Sequence, residues 1–138
     1  MRDVLLAVDY GRVRLGLAVS DALGMAAHPL PALRRAHDEA DRRALARLVA
    51  DRDVRGLVVG LPLNMDGSEG PMAAEARAWA EATAAALSLP LTMEDERLST
   101  DEAETFLLGA GLRPSDRKRL RDSVAAAVIL QSLLERDG

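Results

Sequence analysis

The chain has 138 residues, 49% of them apolar and 29% charged, the composition of a folded protein with enough chain to bury a core. Its 18 basic and 22 acidic residues give a net charge of -4, which excludes a uniformly basic nucleic-acid binder but leaves room for a locally basic face. With no cysteine, disulfides, thiol nucleophiles and thiolate zinc sites are excluded; with only two histidines, a bound metal calls for oxygen ligands, which suits Mg²⁺ or Mn²⁺.

The first apolar run, Val4-Leu5-Leu6-Ala7-Val8, ends at Asp9-Tyr10-Gly11 and reads as a strand buried on both faces. Leu15, Leu17 and Val19 alternate with Gly16, Ala18 and Ser20, the period of a second strand, and the short link predicts a hairpin. A third strand is predicted over residues 25–33; Pro29 and Pro31 cannot donate to a ladder, so it belongs at a sheet edge. Asp38 is the expected N-cap of a helix reaching about residue 53, with Ala44, Leu45, Leu48 and Val49 as its apolar stripe. Residues 56–60 read as another buried strand, followed by a turn-rich loop over 61–70.

Pro71 suits the first position of the next helix, on which Met72, Ala76, Trp79, Ala80, Thr83 and Leu87 recur at helical spacing. A short strand is expected over 89–94. Ser99 and Glu102 form a capping box ahead of Ala103, Phe106 and Leu107, and Gly109 and Gly111 end that helix. Residues 115–136 read as one last helix burying Val124, Val128, Leu130, Leu133 and Leu134. The order β-β-β-α-β-α-β-α-α predicts a single α/β domain over residues 1–138. No run is long and apolar enough to span a membrane, and the first carries Asp9, unlike a signal peptide. A cytoplasmic protein without a membrane partner is therefore expected.

Helix-linked strands in one sheet are expected to run parallel, with their carboxyl ends at a common edge where α/β proteins bind ligands. Asp9 and Glu96 follow two such strand ends, and Asp122 stands just ahead of the apolar part of the last helix. Taken singly, each has an ordinary reading as a turn or surface acid. Gathered on one edge they would form an all-oxygen site for Mg²⁺ or Mn²⁺, and two such ions suit an in-line phosphoryl displacement. The segment 113–121 carries Arg113, Arg117, Lys118, Arg119 and Arg121 against Asp116 alone, a net of +4 beside Asp122. A phosphodiester backbone would be drawn there. The 64–70 loop opens a helix, where backbone N–H groups suit a phosphate, although its residues are ordinary for a turn. His28 and His37 have no triad-spaced partner and read as structural.

The block Asp9-Tyr10-Gly11-Arg12-Val13-Arg14-Leu15-Gly16-Leu17-Ala18-Val19-Ser20-Asp21 resembles the first motif of the YqgF/RuvX family. So do Val59-Gly60-Leu61-Pro62-Leu63-Asn64-Met65-Asp66-Gly67-Ser68, Asp95-Glu96-Arg97-Leu98-Ser99-Thr100, and the block from Asp122 to Gln131. The resemblance implies a ribonuclease H-like fold, a five-stranded mixed sheet flanked by helices. It also implies a metal-dependent nuclease whose three acids are Asp9, Glu96 and Asp122, with a two-metal site of Mg²⁺ or Mn²⁺. Arg14, Arg97, Arg117, Lys118, Arg119 and Arg121 are the expected nucleic-acid contacts. The chain departs from the motif at Val13, where the family has lysine; Arg12 is the candidate replacement.

The implied role is maturation of the 5′ end of precursor 16S ribosomal RNA. Resolution of four-way DNA junctions is the alternative, and would require a dimer; a monomer and a homodimer both stay open. Two further readings stand beside these. One is a nucleic-acid-binding protein of the same fold without catalysis. The other is a nucleotide-binding module, which the chain is short to provide.

Overall fold

The computed structural model describes residues 2–98, 105, 109 and 113–137. Five strands form one mixed sheet: β1 (Val4–Asp9), β2 (Arg14–Ser20), β3 (Ala27–Arg34), β4 (Val54–Leu61) and β5 (Leu91–Asp95). Their spatial order is β3-β2-β1-β4-β5. β1 therefore lies at the centre, which is why its sequence is an unbroken apolar run. It pairs antiparallel with β2 and parallel with β4, and β4 pairs parallel with β5. The expected hairpin and the common carboxyl edge of β1, β4 and β5 are both present.

Alternate residues of the sheet feed two cores. Leu6, Val8, Leu57 and Val59 join Leu45, Trp79, Ala80 and Ala84 on the face covered by α1 (Asp38–Arg52) and α2 (Pro71–Leu87). Ala7, Ala18, Ala27 and Val58 join Ala126, Ala127, Ile129, Leu130, Leu133 and Leu134 on the other. The alanines facing each other across this second interface let the backbone of the last helix approach the sheet closely. Among the described residues no helix is long and apolar enough to cross a membrane.

β3 is the edge strand that its prolines require. Pro29 stands opposite Ala18, and Pro31 falls where the β2–β3 register slips between Leu15 and Leu17. The expected β5 starts two residues later than its sequence suggests, because the Leu89-Pro90 pair still belongs to the turn. The N-cap of α1 is His37 and not Asp38: its Nδ1 accepts a hydrogen bond from the Ala40 N–H at 3.2 Å. Ala44 is exposed, and the place expected for it in the interior goes to Asp41. The capping box at Ser99 and the helix after it lie outside the described residues.

The last helix is not continuous. It divides into α3 (Pro114–Leu120), a 3₁₀ turn (Arg121–Ser123) and α4 (Val124–Asp137). The cause is non-local. The β2–β3 slip leaves the Leu17 N–H without a strand partner, and the buried Ser123 Oγ accepts it at 3.0 Å. Reaching that donor pulls the chain against Gly16, where a Cβ would overlap the Asp122 carbonyl oxygen. One turn tightens as a result, and Asp122 sits in it. Further along, the Gln131 amide accepts from Ala27 N–H at 2.9 Å and donates to the Met25 carbonyl at 3.0 Å, closing the start of β3.

Replacing Ser123 with alanine would leave a buried N–H unsatisfied. Ser123→Ala is therefore expected to cost about 1–3 kcal/mol in urea unfolding. An unchanged midpoint would contradict the role given to this hydroxyl.

Candidate active site

The carboxyl edge of the sheet brings two of the three singled-out acids together. Asp9 ends β1 and Glu96 opens the 3₁₀ turn Glu96–Leu98 that follows β5. β4 lies between their strands. Glu96 crosses it at Gly60, where a Cβ would stand 2.7 Å from Glu96 Oε1 and 2.6 Å from Ile129 Cδ1. A larger residue here would displace the Glu96 carboxyl or the Ile129 side chain. Beyond Gly60 the Asp9 and Glu96 carboxyl groups come close enough to perturb each other's acidity.

Both carboxyls are half-buried, and their acidities respond. Burial raises Asp9 above the ordinary carboxylate range. Burial and then the Asp9 charge push Glu96 up to about 7. Two neighbouring carboxylates cannot both ionise without cost, so Glu96 holds its proton to higher pH. The same pair of oxygen donors suits a hard divalent cation, which would replace the proton and relieve the repulsion.

Asp122 approaches from the other side. Gly16 pairs with Asp9 across the β1–β2 ladder, and a Cβ on Gly16 would stand 3.3 Å from that of Asp9 while overlapping the Asp122 backbone. The Asp122 carboxylate is exposed and faces Arg14, whose Nε lies 3.7 Å away. Among the described residues no three acids are gathered closely enough to hold one ion. Asp9 and Glu96 are the ready pair, and Asp122 is adjacent but engaged with Arg14.

The basic residues divide by their partners. Arg97 forks onto Asp95, with nitrogen–oxygen distances of 2.9 to 3.2 Å, and donates to the Met65 carbonyl at 3.1 Å. It thereby ties the loop after β4 to the end of β5. Arg119 reaches Asp116 within its own helix at 3.4 Å. Arg113, Lys118 and Arg121 are exposed, and Arg117 lies on the same short helix. Arg12, the candidate replacement for the family's lysine, is turned away toward α2, where it forks onto Glu75 at 2.9 to 3.3 Å. Arg14 takes the place beside Asp122.

A brace under Asp9 had no sequence signal. Arg35, 13% exposed at its side chain, donates to Asp41 at 3.1 Å, to Asp38 at 2.8 Å and to the Gly11 carbonyl at 3.3 Å. Its guanidinium lies 5.2 Å from the centre of the Tyr10 ring, a cation–π distance. Tyr10 packs on Trp79 with ring centres 5.4 Å apart and donates its hydroxyl to Glu75 at 2.8 Å. The residues that follow Asp9 are thus held to both helices on that face. An arginine paired internally looks, in sequence, like any surface arginine; only the buried Asp41 partner reveals it.

Comparison with known proteins adds a frame to this geometry. The family model RuvX, described as Holliday junction resolvase, matches residues 3–136. A protein of Anaeromyxobacter dehalogenans named "Putative pre-16S rRNA nuclease" is 47% identical over 95% of this chain and 96% of its own length. One of the same name from Ruegeria is 43% identical over 96% of this chain and 84% of its own. Among solved structures, T. thermophilus RuvC in complex with a Holliday junction substrate superposes with a TM-score of 0.63 at 15% identity, covering 99% of this chain and 97% of that one. Fowlpox virus resolvase gives 0.54 at 9%, covering 96% and 97%. The fold is thus that of the RuvC-like resolvases, which is ribonuclease H-like.

The proton held by Glu96 carries a pH dependence. Glu96 ionises near 4.5 when unfolded but near 7 in the fold, so between these values the folded chain binds more protons than the unfolded one. The stability this group contributes is whole at low pH and is lost as pH rises toward 7. In a chelating buffer the melting temperature is expected to fall between about pH 5 and about pH 8, and to fall less in Glu96→Gln. Equal slopes for the two proteins would show that Glu96 is not held protonated.

Proposed function

The chain belongs to the RuvX family and is a nuclease hydrolysing phosphodiester bonds; on that premise we propose that Asp9, Glu96 and Asp122 form its reactive centre and that RNA is its substrate. The observation that carries this reading is the half-buried Asp9–Glu96 carboxyl pair at the carboxyl edge of the parallel strands. Such a pair is costly in a fold unless something with positive charge uses it. Asp9 and Glu96 would hold Mg²⁺ or Mn²⁺, with Asp122 joining once it leaves Arg14; a second ion at the same edge is part of the proposal. When bound, the metal supplies positive charge to the phosphoryl oxygens on which negative charge develops.

The chain's own groups do the rest. Glu96, raised to about 7, exchanges its proton near neutrality and so is ready to give it up to a cation. Lys118 and Arg121, exposed on the segment that leads into Asp122, attract the phosphate backbone, and Arg117 and Arg119 share that segment. Arg14 neutralises Asp122 while the site is free, and is released to a phosphate oxygen when Asp122 turns inward. Arg97 fixes the loop beside Glu96.

Maturation of the 5′ end of precursor 16S ribosomal RNA is the role we assign, supported by the name its relatives carry, with the cytoplasm as the place of action. The family description favours a second reading, four-way DNA junctions, which demands two such edges related by a two-fold axis.

Labelled precursor 16S leader RNA, single-stranded RNA, duplex DNA and a four-way junction, each offered with Mg²⁺ or Mn²⁺, separate these readings. Cleavage of RNA by the wild type is expected, with Asp9→Asn and Asp122→Asn slower by about 100-fold or more while melting normally. Cleavage of the junction alone would move the assignment to the second reading, and undiminished cleavage by Asp9→Asn would refute the site. Lys118→Ala combined with Arg121→Ala is expected to lower the salt slope of RNA binding by about 2.

A further inference from the structure

Among the described residues, the most exposed large apolar side chain is Met65, at 95%. It does not stand on a loose loop. Arg97 donates to its carbonyl at 3.1 Å, Asn64 N–H donates to the Ser68 carbonyl, and Gly67 N–H donates to the Asn64 carbonyl, both at 2.9 Å. The Asp66 carboxylate accepts from the Ser68 N–H at 2.9 Å. The turn is therefore closed from within and tied from without, and it presents the thioether to solvent from a fixed base. Its place is the reactive edge: the turn follows β4, and the arginine that grips it is the neighbour of Glu96.

The chemistry of the turn narrows what meets it. Residues 64–70 contain Asp66 and Glu69 and no basic residue. Arg77 pairs with Glu69 at 3.0 to 3.2 Å and Arg97 lies against the turn, so its acids are already matched by arginines, and the exposed Lys118 and Arg121 stand on the separate segment before Asp122. What an exposed apolar tip on such a charge-matched turn accepts is the face of an uncharged, flat group. Nucleases usually offer aromatic rings for this purpose. Among the described residues, Trp79 is buried and Tyr10 is committed to Glu75, Trp79 and Arg35; Phe106 lies outside them. A methionine is the available substitute, since its sulfur is polarisable and packs well against rings. Val13 and Met72, also exposed, stand on the same edge, in the β1–β2 turn and at the start of α2.

We infer that Met65 is a substrate-positioning wedge that packs against an unstacked nucleobase beside the scissile phosphate. The substrate class is then nucleic acid with an unpaired or splayed base at the cut, and a continuous duplex is disfavoured. This rests on the nuclease reading above for the location of the reacting phosphate.

The test uses the full chain in a chelating buffer, so that binding is read without cleavage. The probe is an RNA duplex with a single-stranded branch carrying 2-aminopurine at its first unpaired position; emission reports stacking and anisotropy reports binding. Wild-type protein is expected to change the emission at saturation, and Met65→Ala to lose most of that change while binding about tenfold more weakly. Met65→Leu should retain it. So should Leu23→Ala, since the exposed Leu23 lies in the turn after β2, at the opposite end of the sheet. An emission change in Met65→Ala equal to the wild type's, or none in wild-type complexes that anisotropy shows to be bound, would overturn the inference. A Met65-dependent signal from a protein that cleaves no substrate with Mg²⁺ or Mn²⁺ would support the wedge and overturn the nuclease reading.

Discussion

Two neighbouring carboxyl groups, half out of water, are the constraint around which this edge of the protein is arranged. Left to themselves Asp9 and Glu96 would separate, because the Asp9 charge disfavours the ionised form of Glu96. They stay together because neither is on a freely moving element. Asp9 belongs to the central strand, and Glu96 follows directly from β5 through a passage that Gly60 keeps open. The repulsion is eased by a proton on Glu96, and a bound cation would ease it in the same way. Metal affinity and acidity are thereby two readings of a single arrangement.

The surroundings hold that arrangement on three sides. Arg35 anchors the residues after Asp9 by charge, hydrogen bonds and an aromatic face. Arg97 anchors the residues after Glu96 through Asp95 and the Met65 carbonyl. Ser123 anchors the turn carrying Asp122 to the irregular point of β2. Ser123 satisfies a strand donor that would otherwise be buried alone, Arg35 pairs with the buried Asp41, and the Arg97 contacts are exposed. The remote ion pair of the buried Glu94 with Arg136 does similar service, tying α4 to β5 on the far face.

Much of the fold is legible in the residues. β1 and β4 are central parallel neighbours and so carry the continuous apolar runs Val4–Val8 and Leu57–Val59, and Pro29 and Pro31 admit only an edge strand. The rule that parallel strand ends share an edge was enough to bring Asp9 and Glu96 together before any geometry was known. The local-sequence reading fails where the cause is distant. Nothing within residues 115–136 marks a break, because the break answers to Leu17 and Gly16, more than a hundred residues earlier in the chain. Arg35 and Asp41 read as surface charges because such residues are rarely buried unless paired, and the pairing is tertiary. Asp122 was legible as a candidate; its engagement with Arg14 was not, since opposite charges over a hundred residues apart carry no shared pattern.

The central claim is that the Asp9–Glu96 pair exchanges a proton for a divalent cation. Calorimetric titration of the full chain with Mn²⁺, in buffers of differing ionisation enthalpy, measures this directly. Near pH 6 binding should release about one proton, and near pH 8 about none, with tighter binding at the higher pH. The release near pH 6 should disappear in Glu96→Gln, which also binds more weakly. Affinity independent of pH, or Glu96→Gln binding Mn²⁺ as the wild type does, would contradict the account.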